Sequence, residues 1–273
     1  MSDKVITTYK KLGQTPLECL EEVRVSRPYL ADLPLTYAGR LDPMAEGLMI
    51  VLAGEECKNK DQYLGLDKTY EFEVLVGFAT DTYDLLGVVI SESASSKEEF
   101  ERSSDLLSGL RSAGQTIPNP SFDSALKSFV GTFNQKYPSF SSKTVDGKQL
   151  FQLALDDELP DSLPEHEVTI HSLHCTSIVV QGTGSLEKEI IKRIELVHGD
   201  FRQEEIKKRW AEVFQGSNQE EYTIIRCVME CSSGTYVRQL VNDIGEKVGV
   251  PMVTYSIKRT RVGEYTLDDN INI

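Results

Sequence analysis

The chain has 273 residues, 40% of them hydrophobic and 26% charged, with a formal net charge of −14. That composition fits a globular protein with chain enough for one large or two small cores, and it excludes a disordered or fibrous polymer. The acidic balance excludes broad, nonspecific attraction to nucleic acid and leaves room for only a local basic face.

The opening MSDKVITTYKK has no signal-peptide core, and no apolar stretch approaches the ~18 residues of a membrane span, so a cytoplasmic location is expected. Thr15-Pro16-Leu17-Glu18 has the form of a capping box and predicts a short helix to about Val25. GRLDPMAEG, residues 39–47, places one acid, Asp42, in a tight turn ahead of the apolar run 48–53. Two readings compete there: a turn Asp bonding its own backbone, and a nucleophile held on a stiff loop. TYEFEVLVGF alternates, predicting a half-buried strand with Tyr70, Phe72, Val74, Val76 and Phe78 on one face. ATDTYDLLGVV then gives a loop and a second strand. Residues 91–122, rich in Ser, Glu, Gly and Pro, predict an exposed helix with loose flanks.

Six acids and no Lys or Arg fall between Asp156 and Glu167, which predicts a solvated loop. GTGSLE at 182 lacks the third glycine of a dinucleotide loop and is not expected to open a helix. YTIIRCVMEC is a strand. In SSGTYVRQLVNDIGEKVGVP, Val237, Leu240, Val241, Ile244 and Val248 fall at helical spacing, with Thr235 as N-cap and Gly249 and Pro251 as the stop. Helices and strands mix without a βαβ rhythm, so the fold class is α+β.

The five cysteines (Cys19, Cys57, Cys175, Cys227, Cys231) are scattered and form no CxxC pair, and His171, His174 and Cys175 lack a second ligand pair, so no metal site is expected. There is no phosphate-binding GxxxxGK[ST] and no GxSxG elbow. Acids are too numerous to nominate a partner for Asp42 in a two-carboxylate hydrolase. Lys207-Lys208-Arg209 and Lys258, Arg259, Arg261 are the basic clusters, each of which could be a solvated face.

Several separated stretches line up in order. GRLDPMAEGLMIV, DKTYEFEVLVGFATDTYDLLG, FVGTFNQKYPSFSSKTVDGKQLFQLA, CSSGTYVRQLVNDIG and IKRTRVGEY, preceded by KKLGQT, together resemble the TruB family of tRNA pseudouridine synthases from about residue 10 to 266. The resemblance implies a pseudouridine synthase fold: a mixed, mainly antiparallel central sheet flanked by helices, with an RNA-binding cleft. It implies one catalytic domain over 1–273, with insertions near 91–122 and 178–220 and no C-terminal RNA-binding domain. It also implies isomerisation of a uridine in the T-loop of tRNA, position 55, by a monomer with no cofactor and no metal. Another RNA target, guided or not, and a non-catalytic RNA chaperone on the same scaffold are the alternatives.

By match to the family's loop, Asp42 becomes the nucleophile, Arg238 its cation and Tyr70 the base-contacting ring. Tyr236 and Ile257 match pocket positions, and Lys143 matches a lysine that could meet phosphate. Tyr37 stands where bacterial members carry a histidine that contacts the displaced nucleotide. An ionised carboxylate needs a nearby cation if burial is not to neutralise it. Arg238 in a first helical turn, where the helix dipole opposes a cation, calls for such a partner.

Overall fold

The alternating run becomes the axis of the molecule. In the computed structural model, which describes residues 4–92 and 120–267, it forms the fourth of seven strands bonded in a row. The strands in chain order are β1 (Val5–Lys10), β2 (Leu35–Ala38), β3 (Ala45–Ala53), β4 (Lys68–Val76), β5 (Phe78–Thr80), β6 (Val89–Glu92), β7 (Gly131–Lys136), β8 (Thr144–Val145), β9 (Lys148–Gln149), β10 (Glu165–Gly182), β11 (Glu221–Cys231), β12 (Met252–Val262) and β13 (Tyr265–Thr266). The helices are α1 (Pro16–Ser26), α2 (Lys60–Leu64), α3 (Pro120–Ser128), α4 (Leu150–Leu155), α5 (Thr183–Glu195), α6 (Gln203–Gly216) and α7 (Val237–Val248). The sheet runs β1-β3-β12-β4-β11-β10-β7, with β2 added to β3 and β13 to β12. Within it only β3 and β12 pair in parallel. This is the mixed, mainly antiparallel α+β sheet that the sequence predicts.

Period-two alternation sends the sheet's side chains to two cores. Tyr70, Phe72, Val74 and Val76 join Val237, Leu240, Val241 and Ile244 of α7 and Phe122 and Leu126 of α3. Leu75, facing the other way, meets Leu186, Ile190 and Ile194 of α5 and Ile206 and Trp210 of α6. Full burial of each such side chain is worth about 1.5–3 kcal/mol, which fixes the register of β4.

Three local expectations change, and a fourth lies mostly outside the described residues. Phe78 leaves the face of Tyr70 because Gly77 adopts φ 102° and turns the chain into the second core. Tyr236, not Thr235, is the N-cap of α7, while the Thr235 hydroxyl donates to Ser232 O at 3.0 Å. GTGSLE does open a helix: α5 starts at Thr183, driven by the apolar spacing of Leu186, Ile190 and Ile194. Of the stretch 91–122, residues 93–119 lie outside the described residues, and Pro120 begins α3. The capping box of α1 forms as read, and Gly249 ends α7 at φ 71°. Among the described residues, no helix is long and apolar enough to cross a membrane.

Candidate active site

The turn at Asp42 is closed by Ala45 N–H donating to Asp42 O at 3.0 Å, with Pro43 supplying its fixed φ. Two buried cations bolt that turn to the sheet. Lys10 Nζ donates to Ala45 O at 2.6 Å, and the Arg259 guanidinium donates to Leu48 O at 2.8 Å, Gly39 O at 3.0 Å and Arg40 O at 3.4 Å. Gly47, at φ 112°, permits the close pairing of β3 with β12, since a Cβ there would lie 2.3 Å from Arg259 O. Burial pulls Lys10 down to about 8, although the negative charge of Asp42 pulls the other way.

Arg238 comes from the first turn of α7. Its Nε donates to Asp42 Oδ2 at 2.8 Å, while its terminal nitrogens donate to Thr82 O at 2.7 Å and Phe140 O at 3.4 Å. A second carboxylate, Asp84 Oδ2, lies 3.6 Å from the same Nε. The Asp42 side chain keeps 34% of its exposure, against 4% for Arg238 and 8% for Asp84. One carboxylate is therefore presented to solvent and the other is buried beneath the guanidinium. Burial raises the Asp84 carboxyl to about 6 despite the attraction of Arg238, because Asp42 is also near. The other Asp84 oxygen, Oδ1, accepts from Thr82 Oγ1 at 2.8 Å and Leu86 N at 2.9 Å.

Above Asp42 opens a cleft of about 340 Å³, within the size range of small-molecule sites. Asp42, Tyr70, Tyr236, Arg238 and Ile257 all line it, together with Arg40, Lys68 and Arg259. Tyr70 is buried beside Arg259, and burial holds its phenol above the usual value. Tyr236 is raised to about 12 by burial and by the charge of Asp42. Lys143 stands outside the lining, 4.9 Å from the centre of the Tyr137 ring, which itself lies edge-on to Tyr236 at 5.7 Å. Tyr37 also lies outside it, half-buried on β2 against the Leu33–Leu35 cluster with Lys60 over its ring at 5.3 Å.

Sequence reasoning named the cleft's rings and its ion pair but missed several supports, Lys10 beneath the turn among them. Asp84 lay inside the quoted TDTYD, where an acid followed by Leu-Leu was a sign of burial. Gln135, 1% exposed, clamps the α7 entrance: its amide donates to Tyr236 O at 3.1 Å and accepts from Tyr236 N at 2.8 Å.

The basic clusters sort by partner. Lys207, Lys208 and Arg209 face Glu195, Glu204 and Glu212, Arg259 is buried, and Arg261 pairs with Glu230. Among the described residues, Arg40 and Lys143 at the cleft have no carboxylate partner.

A single carboxylate at the foot of a cleft, paired to a buried arginine under two aromatic rings, is a site suited to nucleophilic catalysis on a flat ring. Solved structures of similar fold include the Cbf5–Nop10–Gar1 complex (TM-score 0.53, 14% identity, covering 98% of this chain and 51% of that chain). A second is a Nop10–Cbf5 complex of an archaeal box H/ACA particle (TM-score 0.51, 13% identity). This chain spans about half of those chains, and the likeness establishes the fold. The family model described as TruB family pseudouridylate synthase (N terminal domain) matches residues 34–195. The chain belongs to that family and is a pseudouridine synthase, an isomerase. It is 28% identical over 271 residues to the tRNA pseudouridine synthase B of Limosilactobacillus reuteri, covering 99% of this chain and 71% of that one. It is 27% identical over 273 residues to that of Bacillus pumilus, covering 100% and 69%.

Proposed function

We propose that the protein isomerises a uridine in tRNA, at position 55 of the T-loop, with Asp42 as nucleophile. The observation that carries this is the 2.8 Å pair between Arg238 Nε and Asp42 Oδ2 at the foot of a cleft wide enough for one base. The target uridine leaves its stack and enters the cleft, where the Tyr70 face returns part of the stacking lost, a few kcal/mol. Asp42 attacks the ribose C1′ or the base C6, the glycosidic bond breaks, the base turns, C5 bonds C1′, the bond to Asp42 breaks to return the carboxylate, and C5 gives up its proton to solvent. Arg238 aims the nucleophile through a charge-assisted bond. Tyr236 and Ile257 wall the pocket, Lys143 and Arg40 meet backbone phosphate at its rim, and Tyr37, half-buried on β2 outside the lining, meets the displaced nucleotide. The protein acts as a monomer in the cytoplasm, in keeping with its five free thiols.

The test is Asp42→Asn, which preserves shape and removes the anion. Tritium release from tRNA labelled at uridine C5 should fall to background while tRNA binding stays within several-fold. If the variant kept a tenth of the wild-type rate, a drop of only ~1.4 kcal/mol, Asp42 would be a turn residue and not the nucleophile. Mapping pseudouridine in total RNA with and without the protein decides the target, and a product outside the T-loop would overturn that assignment.

A further inference from the structure

The helix pair α5–α6, residues 183–216, stands apart from the cleft lining but reaches the loop that holds Arg238. That loop, Thr80–Gly87, supplies Thr82 O to the guanidinium and buries Asp84 beneath it. Three side chains of α6 and its approach grip the loop and its exit. Arg202 Nη1 donates to Asp81 Oδ2 at 2.9 Å, Trp210 Nε1 to Leu85 O at 3.2 Å, and Arg209 Nε to Val89 O at 3.2 Å.

Arg202 has the most direct connection. Its guanidinium also lies 4.6 Å over the ring of Phe140, the residue whose carbonyl accepts from Arg238. One side chain therefore touches both segments that hold Arg238 on the side away from Asp42. Asp81 passes the constraint on, since its Oδ1 accepts from Val88 N at 2.9 Å while its own N–H donates to Val88 O at 3.1 Å, closing the loop. The bond is a partly buried one, with side-chain exposures of 26% for Arg202 and 24% for Asp81, and is screened less than a surface pair. Arg202 itself is set at φ 63°, the left-handed cap of α6, with its N–H on Asp200 Oδ1 at 3.3 Å.

We infer that Arg202 is a positioning residue for the isomerisation: by clamping Asp81 and Phe140 it holds Thr82 O and Phe140 O where Arg238 must be seated to aim Asp42. Arg202 is not among the residues that line the cleft, so its effect falls on the geometry of the reacting carboxylate and not on affinity. This rests on the reading of Asp42 as nucleophile, and Asp42→Asn is carried through the same assay to separate the two.

The experiment is single-turnover conversion of tRNA at saturating enzyme, with tRNA binding measured in parallel, for Arg202→Ala, Arg202→Lys, Asp81→Asn and the Arg202→Ala/Asp81→Asn pair. Arg202→Ala should slow conversion about tenfold, because a misplaced reacting group costs rate steeply, with binding unchanged within twofold. The double variant should be no slower than the slower single, as coupled residues require. Arg202→Lys, which keeps the charge and loses the flat face over Phe140, should recover at least a third of the wild-type rate. Should Arg202→Ala not fold, the Lys and Asp81→Asn variants carry the test alone, with Asp81→Asn slowed and Lys near wild type. A rate within twofold of wild type for Arg202→Ala or Asp81→Asn, equal losses of rate and binding, or additive effects in the pair would overturn the inference while an inert Asp42→Asn left the site reading standing. An active Asp42→Asn would instead remove its foundation.

Discussion

The two faces of the sheet are built on opposite principles. On the cleft side, every buried charged side chain among the described residues (Lys10, Lys68, Asp84, Arg238 and Arg259) lies in the cleft wall or bonds a segment beneath it. On the other side, α5 and α6 bury Leu186, Ile190, Ile194, Ile206 and Trp210, and α6 turns Lys207 and Lys208 outward onto glutamates. Burying a charge costs several kcal/mol unless partners are placed to meet it, so the cleft accepts a cost that the helical face avoids. The difference teaches where geometry matters: the cleft gives up stability to hold a carboxylate in one place, and the helical face supplies the stability.

Breaking the cleft's central pair should have the largest effect. Arg238→Ala removes the cation from Asp42 and leaves Asp84 buried without that counter-charge. Conversion should slow by about a hundred- to a thousandfold, far more than tRNA binding weakens, as for other lost charge-stabilising donors. Stability should fall by about 3–5 kcal/mol in denaturant titration, and adding Asp84→Asn should restore much of it. A binding loss as large as the rate loss would make Arg238 a phosphate contact.

The helical face should respond in the opposite sense. Ile190, fully buried on α5, packs in the apolar second core. Ile190→Ala should lower stability by about 2–5 kcal/mol, read from the denaturation midpoint, while the rate per folded molecule stays within twofold. A specific rate that fell with it would erase the division between the two faces.

The pH dependence of stability sharpens the contrast further. Asp84 has its folded value raised from 3.8 to about 6, first by burial and then by Asp42 against the pull of Arg238. The native state thus holds this proton more tightly than the unfolded state, and between about 4 and 6 the stability contributed by Asp84 falls as pH rises. Above about 6 its full cost, about 3 kcal/mol at most, is in place. Asp84→Asn does not titrate, so any deficit it shows against wild type at pH 4 should shrink toward pH 7.5. A deficit that grew with pH would mean that the pairing with Arg238 outweighs burial.

How much of this was legible follows the same division. Strand β4, helix α7 and the capping box of α1 were readable because each repeats a local rule: alternation, the 3.6-residue period, or Thr-Pro-x-Glu. The Arg238–Asp42 pair was readable because the family resemblance nominated both residues, and a cation in a first helical turn calls for a partner. The N-cap of α7 was misplaced because Gln135, 101 residues away, claims Tyr236 and frees Thr235 for Ser232. Asp84 and Arg202 were not legible because their meaning depends on partners 154 and 121 positions distant, brought together only by packing. Phe78 was assigned to the wrong face because one glycine at positive φ outweighs a run of alternating residues.

The smallest effect separates charges that look alike in the sequence. Lys143 lies at the cleft rim without a carboxylate partner among the described residues, whereas Lys208 on α6 is 80% exposed but has Glu212 at 3.9 Å. A phosphate that meets an unpaired lysine releases a counterion, and one that meets a paired lysine must first displace the glutamate or bear its repulsion. The net charge of −14 does not prevent binding at the rim, because charges more than about 8 Å away are screened at physiological salt. Lys143→Ala should therefore weaken tRNA binding several-fold and lower the slope of log affinity against log salt by about 1. Lys208→Ala should leave both unchanged. Equal slopes in the two variants would mean that the RNA reads total charge and not the cleft's unpaired cations, and the helical face would then share in binding after all.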